Sequence, residues 1–159
     1  MSIQKLNKTL FFLLTFCLLL SCGYQSILNK ENQRFSITTF VLEGNKRLSG
    51  ILKNNLITTK KRENNLTLTI KTTKKNKISN KSETGKVLQY AVSVNFEITA
   101  VNNRDQAIIL AQVYSKKQNY AASSVHLDTL NNERKVVENM IESVANEILI
   151  ELSSTYQEK

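Results

Sequence analysis

The spacing of apolar residues predicts a strand followed by a helix near the start of the folded region. Phe35–Glu43 is rich in β-branched and aromatic residues, which is typical of a strand, and Gly44-Asn45 breaks it. From Lys46 the apolar residues recur at intervals of three and four: Leu48, Ile51, Leu52 and Leu56. That interval predicts an amphipathic helix.

Strict alternation predicts three further strands. The first has apolar residues at every second position: Leu66, Leu68 and Ile70. The Lys-rich segment from Thr72 to Lys86 is interpreted as the end of this strand and a loop. Val87–Val101 alternates most clearly, with its apolar face formed by Leu88, Tyr90, Val92, Val94, Phe96 and Ile98. Asn102–Asp105 has the composition of a hairpin turn, and Gln106–Ser115 is predicted to return as the next strand.

The C-terminal region is predicted as a helix whose apolar residues are Val137, Met140, Ile141, Val144, Ala145, Ile148, Leu149 and Leu152. The other face carries Glu138, Glu142, Glu147 and Glu151, interpreted as a solvated surface. Asn131 or Asn132 is predicted to cap the helix start. The resulting β-α-β-β-β-α order predicts an α+β fold, in which two helices pack on one face of a mostly antiparallel four-stranded sheet. Residues 35–155 are predicted to form one such domain.

The N-terminal region has the plan of a bacterial lipoprotein signal. Lys5 and Lys8 precede an apolar run of eleven residues, Leu10–Leu20, which is too short for a membrane span of roughly 20 residues. The following Leu-Leu-Ser-Cys-Gly motif resembles a lipobox, in which cleavage precedes a cysteine that carries diacylglycerol. We therefore expect residues 1–21 to be removed, Cys22 to be lipidated, and residues 22–34 to form a tether. An ordinary signal peptide with an incidental cysteine is the alternative.

The two cysteines limit the kinds of site that the chain can form. Cys17 would leave with the signal and Cys22 would be acylated, so no thiol would remain for a disulfide, a metal site or a nucleophile. The lipid on Cys22 is the only non-protein group expected, and no cofactor is predicted. Gly23, where inner-membrane lipoproteins have Asp, favours the periplasmic face of the outer membrane.

Charge is distributed unevenly along the chain, whose formal net charge is +9. Residues 44–90 contain twelve Lys or Arg and two Glu, whereas residues 127–159 contain seven acids and three bases. A basic half of this strength attracts polyanions. An outer-membrane lipoprotein would meet lipopolysaccharide rather than nucleic acid, so we assign polyanion contact to Lys60, Lys61, Arg62, Lys71, Lys74, Lys75 and Lys77. The alternative is an ordinary solvated surface enriched in Lys by an AT-rich genome.

No catalytic or metal-binding motif is found in the sequence. His126 is the only histidine, which excludes a metal site built from several histidines. Ser123, Ser124 and Asp128 are its only neighbours of catalytic type, and it is interpreted as a loop residue just before the last helix. The four glycines are scattered and form no phosphate-binding loop. We therefore expect a binding or scaffolding protein rather than an enzyme.

The Cys22-Gly23-Tyr24 start resembles the lipopolysaccharide-assembly lipoprotein family (LptE, formerly RlpB). The element order adds to the likeness, with a long hairpin, then Tyr120–Ser124, then a Glu-rich last helix. The resemblance implies a lipoprotein that plugs the large outer-membrane β-barrel LptD, assists its assembly and binds lipopolysaccharide in transit. The alternative is a lipoprotein adaptor of another outer-membrane machine, such as a secretin pilot.

Overall fold

The computed structural model describes residues 34–57, 62 and 64–157. Its elements follow the predicted order: β1 (Phe35–Gly44), α1 (Lys46–Leu56), β2 (Asn64–Lys81), β3 (Val87–Asn102), β4 (Ile108–Ala121) and α2 (His126–Gln157). Both helices lie on one face of the four-stranded sheet, which confirms the predicted α+β fold.

The strands are ordered β1-β2-β3-β4 across the sheet. β1 pairs with β2 in parallel, and the other two pairs are antiparallel. Parallel neighbours require a crossover connection, and α1 lies within the connection between β1 and β2. The sheet is therefore mostly antiparallel, with one parallel pair at the edge that the chain enters first.

The junction between β1 and α1 depends on a glycine and a capping residue. Gly44 has a φ of +66°, and a Cβ there would lie 2.3 Å from the Thr72 carbonyl oxygen. The Asn45 backbone N–H donates to that oxygen at 2.8 Å, and its side-chain oxygen accepts from the Leu48 N–H at 3.2 Å. Buried Ser49 donates to the Thr72 hydroxyl at 2.8 Å. Together these contacts hold the start of α1 against β2.

The core lies between the two helices and the face of the sheet that they cover, called here the inner face. The predicted apolar stripes of the two helices are confirmed, since the apolar face of each helix is buried against the sheet. The largest fully buried side chains are Phe35, Phe96, Leu52, Leu56, Leu66, Leu68, Ile70, Ile98, Ile141, Ile148, Leu152 and Val92. Leu88 departs from the predicted apolar face of β3, because it is 42% exposed near the end of the sheet. Neither described helix covers the opposite, outer face.

Two strands are longer than predicted. β2 continues through the Lys-rich segment to Lys81, so the expected loop is confined to residues 82–86. The backbone of this segment pairs with β3 from Thr72 opposite Phe96 onward, and that pairing does not require apolar side chains. β4 starts at Ile108 and ends at Ala121, six residues beyond the predicted Ser115. Its polar extension is held in the sheet because it also pairs with β3.

The last helix begins earlier than predicted. α2 starts at His126, so this histidine is the first helical residue rather than a loop residue, and the predicted Asn131 and Asn132 caps are wrong. Both asparagines lie inside the helix, where Asn132 donates to the Ala121 carbonyl at 3.2 Å. Among the described residues, no helix is both long enough and apolar enough to cross a bilayer.

Candidate ligand-contact surface

Three of the predicted functional residues lie outside the described part of the chain. These are the lipidation candidate Cys22 and two of the anion-contact candidates, Lys60 and Lys61. Arg62 is described, and its backbone N–H donates to the Ser36 hydroxyl at 3.3 Å, next to the start of β1. The roles assigned to these four residues remain predictions.

Lys71 lies on the outer face, where its charge is compensated. Its ammonium group lies 3.0 Å from the Glu97 carboxylate on β3, and both side chains are about half exposed. The hydrogen bond and charge of Glu97 raise the pKa of Lys71, and Glu43 on β1 adds to the effect. A pair this exposed contributes little to stability. Lys71 is therefore available to an anion only in competition with Glu97.

Lys74 lies on the inner face, opposite to Lys71, and forms an ion pair with Glu133 of α2. The same carboxylate accepts hydrogen bonds from Asn76 at 3.0 Å and from the Tyr120 hydroxyl at 3.0 Å. Burial acts to raise the pKa of Glu133, but these three hydrogen bonds outweigh burial and lower that pKa. Lys74 thus joins β2 to α2.

Two more glutamates of α2 contact β4. Lys116 lies 2.5 Å from the Glu147 carboxylate, and that hydrogen bond lowers the pKa of Glu147. The Tyr114 hydroxyl donates to Glu151 at 2.5 Å. The acidic face of the helix was predicted to be a solvated surface. It is only partly so, because Glu147 and Glu151 join α2 to the sheet. One of the partners, Lys116, lies in the part of β4 beyond the predicted end at Ser115.

Lys75 and Lys77 occupy the outer face near the far end of β2, and both are exposed. Lys75 lies opposite Ser93 on β3, which in turn lies opposite Lys117 on β4. Strands lie about 4.8 Å apart, so Lys75 and Lys117 are separated by roughly 10 Å across one row. None of the three lysines forms an ion pair among the described residues. We call Lys75, Lys77 and Lys117 the outer basic patch.

Lys117 was not among the predicted contacts, because it lies outside the basic segment 44–90 and β4 was predicted to end at Ser115. Once the strand continues to Ala121, alternation places Tyr114, Lys116 and Tyr120 on the inner face and Lys117 on the outer one. Tyr114 and Tyr120 share one phase of the alternation, and this was the available signal for the longer strand. The structure therefore brings together two predicted residues and one that was missed.

His126 and its neighbours line a groove of about 460 Å³ beside the start of α2. The Ser123 hydroxyl accepts from the Val125 N–H at 3.2 Å and donates to Asp128 at 3.3 Å. The Ser123 N–H in turn donates to the Thr129 hydroxyl at 2.8 Å. These bonds shape the turn into α2, and within the described residues none joins His126 to a serine.

The acidic and histidine side chains of the described residues are not grouped as metal ligands. Across residues 34–57, 62 and 64–157, no group of three or more His, Cys, Asp or Glu side chains is placed to hold a metal ion. The described acids are instead spread along α2 and across the sheet.

The fold is shared with solved bacterial proteins. The chain matches a lipoprotein B from Nitrosomonas europaea with a TM-score of 0.60 and 13% identity, covering 85% of this chain and 93% of that one. It matches rare lipoprotein B from Shewanella oneidensis with a TM-score of 0.54 and 16% identity, covering 76% and 98%. It matches a lipoprotein from Caulobacter crescentus with a TM-score of 0.55 and 11% identity, covering 74% of this chain and 88% of that one.

Sequence comparison adds no further relative, since neither a family model nor a curated protein matches the chain. At such low identities the likeness establishes the fold. The chain thus has an α+β fold that occurs in bacterial lipoproteins, and it spans nearly the whole length of those proteins.

Proposed function

We propose that this chain is a lipoprotein of the outer membrane, anchored through Cys22, that plugs an LptD-type β-barrel and assists its assembly. In this role it would also bind lipopolysaccharide during transport to the outer leaflet. It would face the periplasm and act without catalysis, metal or cofactor. The observation that carries the proposal is the fold, which is shared with rare lipoprotein B over 98% of that chain.

The N-terminal pattern supports the same assignment independently of the fold. Cys22-Gly23-Tyr24 resembles the start of the LptE family, whose former name, RlpB, corresponds to rare lipoprotein B. A lipid on Cys22 would hold the domain close to the membrane. A diacylglycerol together with an amide-linked acyl chain anchors far more firmly than a single chain, whose binding is marginal and reversible.

The outer face of the sheet supports contact with a phosphate-bearing lipid. It is uncovered by the described helices, and the rows that contain the outer basic patch carry Ser, Ala, Asn and Lys but no acid. Lys ammonium groups bind phosphate through charge-assisted hydrogen bonds. Since Lys71 and Lys74 already pair with glutamates, we assign the main lipopolysaccharide contact to Lys75, Lys77 and Lys117. Lys60, Lys61 and Arg62 stay predicted contacts on the charge of their segment alone.

Gentle detergent extraction of the lipidated protein, followed by mass spectrometry, tests the partner. We expect a very large outer-membrane β-barrel with a periplasmic domain to co-purify. Changing Cys22 to Ser should release the protein from the membrane and sharply reduce this recovery. A secretin ring in place of the barrel would contradict the proposal and favour the adaptor role.

Lipopolysaccharide binding is tested by changing Lys75, Lys77 and Lys117 together to Gln. We expect at least a tenfold loss of affinity at low salt, because each lysine near an anionic lipid surface contributes about 1 kcal/mol. A matched control neutralises three exposed cations elsewhere on the surface, namely Lys46, Arg104 and Lys135. Equal losses in both variants would mean that only net charge matters, and no loss would remove the outer basic patch from the proposal.

A further inference from the structure

Five large apolar side chains are exposed at one end of the molecule, where the hairpin between β2 and β3 lies beside the start of α2. We call this group the distal end, and its exposed fractions are Ile78 47%, Leu88 42%, Val125 53%, Leu127 63% and Leu130 46%. Single exposed apolar residues are normal on a protein surface. A cluster at one end instead marks an interaction site.

The backbone places these residues side by side. The Ala122 N–H donates to the Leu88 carbonyl at 2.9 Å, which ties the segment after β4 to the start of β3. Four residues later α2 begins, so Leu127 and Leu130 lie over this end of the sheet. Ile78 pairs with Tyr90, which stacks on Tyr120 with ring centroids 5.5 Å apart. The exposed residues thus continue a packed aromatic layer.

Two grooves flank the first turns of α2, and Leu130 lines both of them. One has a volume of about 390 Å³, lies toward α1, and is also lined by Leu127, Ile51 and Val137. The other, of about 460 Å³, lies toward β4. Both volumes fall within the range of about 300–1,000 Å³ that is typical of ligand sites. Arg47, Arg134 and Glu138 also line the first groove, so Leu130 forms an apolar edge between two grooves whose other walls are partly charged.

Several lysines lie near the distal end. Lys81 and Lys86 flank the hairpin, and the outer basic patch lies on the opposite face of the sheet from Leu127 and Leu130, whereas the nearby acids are Glu83, Asp128 and Glu138. Asp128 accepts a hydrogen bond from Ser123, and the deeper Glu133 is paired with Lys74. Exposed apolar side chains at the tip, with lysines on the hairpin and on the sheet behind it, match the chemistry of an anionic lipid layer, in which acyl chains lie beneath phosphates.

We propose that the distal end inserts Leu127 and Leu130 into the acyl region of an anionic lipid layer, while the lysines of the hairpin and of the outer basic patch contact its phosphates. A protein partner is the less favoured occupant, because the exposed lysines would then need several matched acids. The inference goes beyond the proposed function, since it requires neither the β-barrel nor lipopolysaccharide.

The distal end lies far from the point where the chain enters the domain. The tether enters at Phe35, which pairs with Asn64, and Ile78 lies fourteen residues further along β2. That separation is about 45 Å, since each strand residue advances about 3.3 Å. The start of β1 and the distal end therefore lie at opposite ends of the sheet, and the test supplies a lipid layer for the distal end as separate vesicles.

Tryptophan fluorescence can report insertion directly, because the chain contains no tryptophan. The variant Leu127→Trp places one at the distal end. The matched control Ile108→Trp places one at a position of similar exposure, 68% against 63%, at the opposite end of the sheet. Full-length lipidated protein is anchored in phosphatidylcholine vesicles, and acceptor vesicles of phosphatidylglycerol with brominated acyl chains are added.

We expect the Leu127→Trp emission to shift to shorter wavelength and to be quenched by the brominated chains, with no change for Ile108→Trp. Phosphatidylcholine acceptors should weaken docking at least tenfold. The change of Lys75, Lys77 and Lys117 to Gln in the Leu127→Trp background should do the same, because the lysines supply the attraction to phosphate.

Three outcomes would overturn the proposal: no quenching, equal quenching of both tryptophans, or a wavelength shift without quenching. The last result would mean that protein, either a second copy or the N-terminal segment of the same chain, covers the distal end. Flotation of the protein with the phosphatidylcholine vesicles that hold it tests the lipid anchor separately. A chain that fails to float would contradict the anchor, while its quenching by acceptor vesicles would still decide the role of the distal end.

Discussion

Lys74 and Lys75 are neighbours in the chain, yet the sheet gives them different environments. Lys74 projects from the inner face, where Glu133 of α2 neutralises its charge. Lys75 projects from the outer face, in a row shared with Ser93 and Lys117 that contains no acid. The same residue type therefore joins two elements on one face and contributes an exposed positive charge on the other.

The difference shows that a count of lysines overstates the charge available to a ligand. The two faces are distinguished by what lies above them, since α2 supplies acids to the inner face only. The outer basic patch offers its cations to solvent or to a partner. Each face can be perturbed separately, and the predictions below are ordered by the size of the expected effect.

The largest contrast is expected between apolar residues on the two faces. Phe96→Ala should lower the free energy of unfolding by about 3–5 kcal/mol, because Phe96 is fully buried on the inner face and its loss leaves a cavity. Val113→Ala on the outer face should change it by less than about 0.5 kcal/mol, since Val113 is 59% exposed. Urea denaturation of both variants measures the difference, and similar losses would mean that the outer face is covered in the folded protein.

The lysine pair is compared directly by changing each to Met, which keeps the aliphatic stem. Lys74→Met should lower the free energy of unfolding by about 1–2 kcal/mol, because Glu133 then loses its cation in a partly buried site. Lys75→Met should leave stability within about 0.5 kcal/mol of the original protein. Chemical denaturation at pH 7 provides the measurement. Equal effects would contradict the assignment of the two lysines to different roles.

Acid pH should weaken the inner face selectively. The pKa values of Glu133 and Glu147 are lowered in the folded protein, so both carboxylates contribute stability above their unfolded pKa of about 4.5. That contribution is lost as pH falls through the lower folded pKa values, because the unfolded chain then binds more protons. With Glu133→Gln and Glu147→Gln combined, the free energy of unfolding should fall less steeply between pH 5 and about pH 2. An unchanged slope would show that other carboxyls cause it.

The smallest effect is expected at Tyr156, which stacks on Phe35 with ring centroids 5.8 Å apart. Its hydroxyl is buried and has no hydrogen-bond partner among the described residues, unlike those of Tyr114 and Tyr120. Tyr156→Phe should therefore leave stability unchanged or raise it by up to about 1 kcal/mol, because an unsatisfied polar atom is removed. Thermal unfolding, with Tyr114→Phe as the destabilised control, tests this. A clear loss would reveal a partner for the hydroxyl.

Much of the fold could be predicted because its signals are local. Alternation in Val87–Val101 and the four-and-three spacing from Val137 to Leu152 each indicate one element and its buried face. The predictions were least accurate where polar residues continue an element. The lysines after Thr72 and the residues after Ser115 stay in strands because β3 pairs with both of them, and a neighbour in space leaves no mark on the local pattern.

For the candidate site, the sequence alone located a basic segment but did not show which of its lysines can contact a ligand. Lys71 and Lys74 belong to that segment, yet each is paired with a glutamate distant in the chain. Lys117 lies outside the segment and joins Lys75 only through the register of β3 and β4. The exposed apolar side chains of the distal end were likewise hidden, because burial depends on where α2 crosses the sheet.

The sequence by itself determined the order of elements, the identity of the core and the motif at Cys22, since each depends on residue type and short-range spacing. The tertiary structure decided which lysines are neutralised, where α2 begins, and which apolar residues remain exposed together at the distal end. Those features depend on contacts between elements far apart in the chain, and strand alternation sends even adjacent residues such as Lys74 and Lys75 to opposite faces.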